Sequence, residues 1–379
     1  MFFLDNASTT PCFEESAKIV KNALISDYFN PSAKYNQALN MQLKLNECRK
    51  TILKAVGGIN YDVIFTASAT ESNNLVISTA VSNHYTSLIS VGEHSSVYAS
   101  SMAKLQENKK VKFLKLNPNG SVDFEDFKNH MEKSVGFISM MIVSNETGAI
   151  NDIKRFVAFA RKVNPSVLFH VDAVQGFCKV DINIEDLGID YLTISSHKVN
   201  GPKGVGALVV KKKCKLTPFV LGGGQENGIR SGTENLPAIL GFANSVTMHL
   251  KSIKEDYLKV KCFKEEFYSR LSLYAKNEGV NIELNGSMEH TSPYILSVSF
   301  IGIRAEVLLH KLEEYEILVG TGSACNSNHS GNRVLEQQGK SKESVEGNIR
   351  FSFSLESTTY DADYLAKTII DCVKNIKRK

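Results

Sequence analysis

Proline is scarce in this chain, with 8 residues among 379 against 25 glycines, and no CxxC pair occurs anywhere in it. So little proline excludes the collagen-like and Pro-rich disordered classes. The seven cysteines, Cys12, Cys48, Cys178, Cys214, Cys262, Cys325 and Cys372, are odd in number and widely scattered, which excludes a disulfide framework and favours free thiols in a reducing compartment. Together with nine histidines they show no metal-ligand spacing, so no metal site is expected. No uncharged apolar run approaches membrane-spanning length. The N-terminus MFFLDNASTTP carries an acid at Asp5 and no basic segment, so neither a membrane span nor a secretory signal is expected. An excess of one charge sign is missing too: 44 Lys+Arg stand against 40 Asp+Glu and are spread along the chain. No direct nucleic-acid binding is therefore expected. The runs Lys211 to Lys213 and Lys377 to Lys379 read as solvated surface. These absences together predict a cytoplasmic protein without a resident metal.

What is present is an ordinary globular composition, 42% hydrophobic and 22% charged, with no internal repeat. The length suffices for a large domain plus a smaller one. From about residue 60, short apolar runs alternate with segments of helical spacing. DVIFT (62–66), SLISV (87–91), the Lys-rich stretch 109–116, GFISMMIV (136–143), VLFHVDA (167–173), DYLTIS (190–195) and GALVV (206–210) read as strands. Between them ESNNLVISTAVSNH and IKRFVAFARKV have helical periodicity. This alternation predicts an α/β fold with a mostly parallel central sheet covered by helices. Further on, Tyr257, Phe263, Phe267 and Leu271 mark a long amphipathic helix. A strand in YILSVSF, a helix in AEVLLHKLEEY, a strand in IRFSFS and a final helix complete a smaller α+β domain. The expected division is 13–255 for the large domain, with 1–12 and 256–379 forming the small one.

Several segments carry chemistry-bearing residues. TASATESNN follows a strand and opens a helix, so its small residues, its first-turn amides and the Thr70 hydroxyl suit a phosphate; taken alone, the segment reads first as an ordinary N-cap. HVDAVQ places Asp172 at the end of a buried strand, where an ionised carboxylate needs a cation or strong donors. Gln175 follows three residues later. SSHKVNGPKG puts Ser195, His197 and Lys198 where the chain leaves the carboxyl edge of the sheet, the edge at which open α/β sheets bind ligands. Gly201, Pro202 and Gly204 then force a shaped loop that fixes the lysine amine. A partly desolvated lysine is nucleophilic and forms Schiff bases. His94 in EHSSV and Asn145 in SNETG stand after strands, either as ring contacts or as local hydrogen-bonders. Cys325 lies in GTGSACNSNHSGN, whose Gly, Ser and Asn content predicts an exposed, mobile loop.

In order, LDNASTTP, NPSAKY, TASATESNN, EHSSV, SNETGAI, HVDAVQ, SSHKVNGPKGVGAL, GGGQENGIRSGTENLP, GSAC and IRFS resemble the motifs of the cysteine desulfurases, pyridoxal phosphate enzymes of the class V aminotransferase group. The resemblance covers nearly the whole chain. It implies the fold type I of pyridoxal phosphate-dependent transferases and pyridoxal 5'-phosphate as cofactor. It also implies a role for each matching residue. Lys198 forms the Schiff base, Asp172 pairs with the pyridine nitrogen, Gln175 and Asn145 contact the ring oxygen, and His94 stacks on the ring. Thr70, Ser195 and His197 hold the phosphate, joined by Thr233 from the other subunit of a homodimer. Arg350, with Asn145, binds the substrate carboxylate, and Cys325 is the nucleophile. The implied reaction removes sulfur from L-cysteine, giving L-alanine and a Cys325 persulfide for a sulfur-acceptor protein in iron–sulfur assembly or tRNA thiolation. A selenocysteine lyase, another transaminase of the group, or a platform that docks acceptors are the alternatives. The chain departs from the family pattern at Ser68, at Tyr35 and at FSLE (353–356), where LGR is usual; the last departure is expected to alter a basic contact near the substrate.

Overall fold

A computed structural model describes residues 1–322 and 332–377; Cys325 lies outside the described residues. The strands are β1 (Phe2–Leu4), β2 (Tyr61–Thr66), β3 (Thr86–Ser90), β4 (Val111–Leu114), β5 (Val135–Met141), β6 (Leu168–Asp172), β7 (Tyr191–Ser195), β8 (Gly206–Lys211), β9 (Ile282–Leu284), β10 (Ile295–Phe300), β11 (Ile317–Thr321) and β12 (Asn348–Ser352). They form a seven-stranded sheet ordered β2-β8-β7-β6-β5-β3-β4 and a five-stranded sheet ordered β1-β11-β12-β10-β9. All seven strands expected in the large sheet are present.

In the large sheet only β8 runs against its neighbours, pairing antiparallel with both β2 and β7. The pairs β7·β6, β6·β5, β5·β3 and β3·β4 are parallel. Side chains on a strand alternate between faces, so a sheet covered on both sides has two cores. Along β8, Ala207 and Val209 join a cluster containing Phe156, Phe169, Ile194 and Phe242. Leu208 and Val210 join the opposite one with Ile64, Phe137 and the helical Leu75, Val76 and Ile77. Both faces are buried, which is why these strands read as continuous apolar runs rather than alternating ones.

The smaller sheet has its own core. The helix Ile253–Asn277 contributes Val260, Phe263, Phe267 and Leu271, one or two turns apart on one face. They meet Val298 and Phe300 of β10, Phe351 of β12, and Leu365, Ile369 and Val373 of the helix Ala362–Lys377. Three strands here differ from the sequence expectation. β1 and β9, of three residues each, and β11 have no counterpart among the strands read from the sequence. β1 is completed by parallel pairing with β11, Phe2 opposite Ile317. No local pattern carries a pairing between residues so far apart. No described helix is long and apolar enough to cross a membrane.

The parallel strands end at one edge, and the chain leaves that edge at Thr66, Ser90, Met141, Asp172 and Ser195. Because β8 runs the other way, its first residue, Gly206, lies at the same edge, opposite both Thr66 and Ser195. The expected site residues cluster there.

Candidate active site

A cavity of about 250 Å³ opens at this edge. It is lined by Thr70, His94, Asn145, Asp172 and Gln175 from the large sheet's loops. Ser195, His197, Lys198 and, from β12, Arg350 complete the set. Nine of the eleven residues singled out in the sequence therefore share one cavity. Thr233 lies elsewhere, in a neighbouring cavity of about 170 Å³ with Ala67, Gly204 and Arg230. Cys325 is the eleventh.

The first wall is the start of the helix Ala69–Ala80. Ser68 caps it, accepting from Glu71 N at 3.2 Å, while Glu71 Oε2 accepts from Ala67 N at 2.9 Å. The pairing departs from a capping box by one residue, since Glu71 reaches the N–H before the cap rather than that of Ser68 itself. The N-cap reading holds at Ser68, and the same capped turn lines the cavity. Helix N-termini leave N–H groups without intrahelical acceptors and favour anions. Gly206 brings the turn close to the sheet: a Cβ there would lie 2.7 Å from Ser68 C and 2.8 Å from Ala69 N. His197 adds its imidazole, with Nδ1 3.1 Å from Thr9 Oγ1. Burial, followed by the charges of Lys198, Lys203 and Lys179, lowers the His197 pKa to about 4, so the ring is neutral at neutral pH.

The opposite wall is built on Asp172, only 3% exposed. Its Oδ1 accepts from Val174 N at 3.0 Å, capping the next turn, and its Oδ2 accepts from Asn73 Nδ2 at 2.8 Å. Asn73 Nδ2 also reaches Ser96 Oγ at 2.8 Å, and Ser96 Oγ lies 2.8 Å from His94 Nδ1. One chain of hydrogen bonds thus fixes the carboxylate and the imidazole together. Burial is the main cause that lowers the His94 pKa; Lys198 and Arg333 add to it and Asp172 opposes them. A neutral imidazole is the form that accepts a proton.

Lys198 ends the short 3-10 turn Ser196–Lys198. Its Nζ donates to Ala7 O at 2.6 Å and Ser8 O at 2.5 Å. Gln175 Nε2 donates to the same Ala7 O at 2.9 Å, so the N-terminal segment organises both side chains. Arg350 is 5% exposed. It donates through Nη2 to Asp5 Oδ1 at 3.0 Å and through Nη1 to Asn145 O at 3.0 Å. Among the described residues its buried Nε has no partner.

These features suit a pyridoxal phosphate. Asp172 is a buried carboxylate with no salt bridge among the described residues, and such a group calls for a cationic N–H. The capped turn and neutral His197 suit a phosphate, and Lys198 supplies an amine between them. Among the described residues no group of three or more His, Cys, Asp or Glu could hold a metal ion.

Sequence reasoning missed Asn73, which orients Asp172, and the acids Asp5 and Glu146 beside Arg350. Asn73 follows Thr70 by one helical turn, a spacing that places both on one face; the acids gave no local signal. Of the departures, Ser68 lines the cavity, whereas Tyr35 is half exposed and precedes the helix Asn36–Ala55. Phe353 to Glu356 line a second cavity of about 590 Å³ that shares Lys198 but not Arg350. The FSLE segment therefore sits behind the lysine rather than at the arginine.

A mostly parallel sheet with an aspartate, a lysine and a phosphate-suited helix start at its carboxyl edge is the arrangement of fold type I pyridoxal phosphate-dependent transferases. The chain belongs to the aminotransferase class-V family, whose model matches residues 2–365. It is 32% identical over 386 residues to the cysteine desulfurase IscS of Rickettsia typhi, covering 99% of this chain and 92% of that protein. It is also 32% identical to the mitochondrial cysteine desulfurase of Saccharomyces cerevisiae, covering 99% and 75%. Among solved structures, a NifS-like protein matches with a TM-score of 0.89 and 29% identity over 99% of this chain and 100% of that one.

Proposed function

We propose that this protein is a cysteine desulfurase, a pyridoxal phosphate enzyme that converts L-cysteine to L-alanine and carries the sulfur as a persulfide on Cys325. The observation that carries this reading is the convergence of Asp172, His94, Lys198 and Arg350 on one cavity at the sheet's carboxyl edge. Residues 13–255 form the cofactor-holding domain, and 1–12 with 256–379 form the domain that supplies Arg350 and Cys325.

Lys198 would hold the cofactor covalently, Asp172 would pair with its ring N–H, and His94 would cover the ring. Gln175 and Asn145 would contact the ring oxygen. Thr70, Ser195 and His197 would hold the phosphate, joined by Thr233 of a second copy of this chain. Once bound, the cofactor stores the negative charge left when the substrate loses its α-proton.

Arg350 grips the substrate carboxylate; its buried Nε, without a partner among the described residues, supports that role, since a guanidinium recognises a carboxylate through two parallel N–H groups. The Lys198 amine, displaced by substrate, takes the α-proton. His94, neutral for the reasons above, accepts the proton of a thiol. Cys325 thiolate then attacks the substrate sulfur. The Sγ–Sγ bond forms as the Cβ–Sγ bond breaks, the electron pair goes to Cβ, which takes one proton, and Lys198 returns the α-proton to Cα to complete L-alanine. The two sulfurs are oxidised and the carbon is reduced, so no external redox partner is required. A sulfur-acceptor protein then takes the persulfide sulfur. The six described cysteines are all free thiols, which supports a reducing compartment such as the cytoplasm.

The test is anaerobic incubation of the purified protein with L-cysteine, following visible absorbance, alanine and sulfide, beside Lys198→Ala and Cys325→Ser. The expected result is a yellow protein whose colour is lost in the lysine variant and whose sulfur release requires Cys325. Alanine formation that persists unchanged in Cys325→Ser would overturn the reading in favour of a transaminase or selenocysteine lyase. A yellow protein that makes no alanine at all would mark a docking platform.

A further inference from the structure

Arg350 stands among acids before any substrate arrives. Its Nη2 bonds Asp5 at 3.0 Å, and its Nη1 lies 4.0 Å from Glu146 Oε1. Glu146 is held on both sides: Asn145 Nδ2 donates to Oε1 at 2.7 Å, and Asn332 Nδ2 donates to Oε2 at 3.2 Å. Its side chain is 10% exposed, against 22% for Asp5.

A substrate carboxylate on Arg350 would place a third negative group beside one guanidinium. Carboxylates sharing a buried site cannot all remain ionised, and the one least screened by water gains a proton. Asp5 keeps more contact with solvent. Glu146 is the more deeply buried, and burial already holds its carboxyl above the ordinary range, opposed by Arg350, Asn332, Asn145 and Arg333 in that order. The other titratable groups facing Glu146 come from the start of the helix Ser95–Gln106, where Glu93 and His94 line the same crevice. Glu93, raised to about 8 by burial and then by Asp172, is largely neutral at neutral pH, and so is His94. Neither contributes a full charge. Arg333, on the helix Arg333–Gln337, donates to Glu93 O at 2.6 Å and supplies the remaining positive charge.

We propose that Glu146 is a positioning residue that tunes the Arg350 subsite, taking up one proton as a substrate carboxylate binds there. The proposal rests on the reading of Arg350 as the carboxylate clamp. Its consequence is that carboxylate ligands bind more tightly at lower pH, whereas thiols without a carboxylate do not share that dependence.

The experiment uses the cofactor-loaded protein and two probes, 3-mercaptopropionate, which has a carboxylate and no amine, and 2-mercaptoethanol, which has neither. Dissociation constants are measured across pH for the unaltered protein, Glu146→Gln and Arg350→Gln. In the unaltered protein the 3-mercaptopropionate constant rises with pH by up to about tenfold per unit, the limit for one linked proton. In Glu146→Gln it stays at the low-pH strength, and thiol ionisation of the probe, common to both proteins, cancels. Equal slopes in the two proteins would overturn the proposal. If instead Arg350→Gln binds 3-mercaptopropionate as the unaltered protein does, the clamp reading has failed and the proposal falls with it. Should Glu146→Gln not fold, calorimetry of the unaltered protein in two buffers of different ionisation enthalpy counts the proton directly. An uptake near one for 3-mercaptopropionate, in excess of that for 2-mercaptoethanol, is expected; no difference refutes the proposal.

Discussion

Gly206→Ala tests the link between sheet packing and cofactor affinity. The new Cβ would meet Ser68 C at 2.7 Å, Ala69 N at 2.8 Å and Ile194 O at 3.1 Å, all backbone atoms that no rotamer change can move aside. Restoring an ordinary 3.4 Å contact to Ser68 requires the capped turn to retreat by about 0.7 Å. Overpacking of this kind costs about 1–3 kcal/mol. Without cofactor the turn relaxes away from the sheet and relieves much of that strain. With the cofactor phosphate on this turn, as proposed above, binding would need the turn in place, and the strain would reappear as weaker binding, a loss of about 5- to 150-fold. The assay titrates the cofactor-free protein with pyridoxal phosphate and follows visible absorbance, with thermal unfolding measured alongside. Gly302→Ala is the control: at φ +80° an alanine strains the backbone, but nothing lies within 4 Å of its Cβ. It should lower stability by about 1 kcal/mol and leave cofactor affinity within about twofold, below the range that overpacking produces. A folded Gly206→Ala protein with unchanged affinity would refute the claim that this approach sets the phosphate turn.

Two further perturbations follow from the packing and the buried charges. Phe267→Ala removes a fully buried ring that packs edge-on against Phe351 at 5.2 Å and Phe353 at 5.7 Å, and should lower stability by about 3–5 kcal/mol in denaturant titration. Glu93 is raised to about 8 from 4.5 in the folded protein, so between those values the folded state holds a proton that the unfolded state has lost. Stability therefore falls as pH rises through that window, and Glu93→Gln should abolish the fall: the two proteins differ least near pH 4.5, and at pH 8 the variant is the more stable, by a few kcal/mol on the order set by the shift. Parallel pH-stability curves for the two would refute it.

Much of the large sheet was legible because each of its strands is buried on both faces and so writes a dense apolar run. The helix Ile253–Asn277 was legible through the spacing of Phe263, Phe267 and Leu271. β1 was not, because three residues gain their strand character only from β11, more than three hundred positions away. The antiparallel sense of β8 was equally hidden: GALVV reads the same in either direction, and only pairing with β2 and β7 assigns it. Around the cavity, Asp172 and Lys198 stood out because a carboxylate ending a buried strand and a lysine in a Gly/Pro loop are chemically conspicuous. Asn73, Asp5 and Glu146 did not, since each acts through a partner distant in sequence. The FSLE segment was expected near the substrate because it follows Arg350 closely. The chain turns away after Ser352, and the segment faces the cavity on the other side of Lys198.

By itself the sequence determined the class of fold, through the alternation of buried strands with amphipathic helices, and the chemical inventory of the site, through residue types that ordinary surfaces and cores rarely need in those positions. Both are local properties, written in periodicity and in short motifs. Tertiary structure decided which groups meet and in what charge state. Ala7 and Ser8 reach Lys198 across about 190 positions, and Asp5 reaches Arg350 across 345. The displaced pKa values of His94, His197, Glu93 and Glu146 all have burial as their first cause. Burial belongs to the packed assembly and to no residue alone, which is why the sequence names the reacting groups and only the fold tunes them.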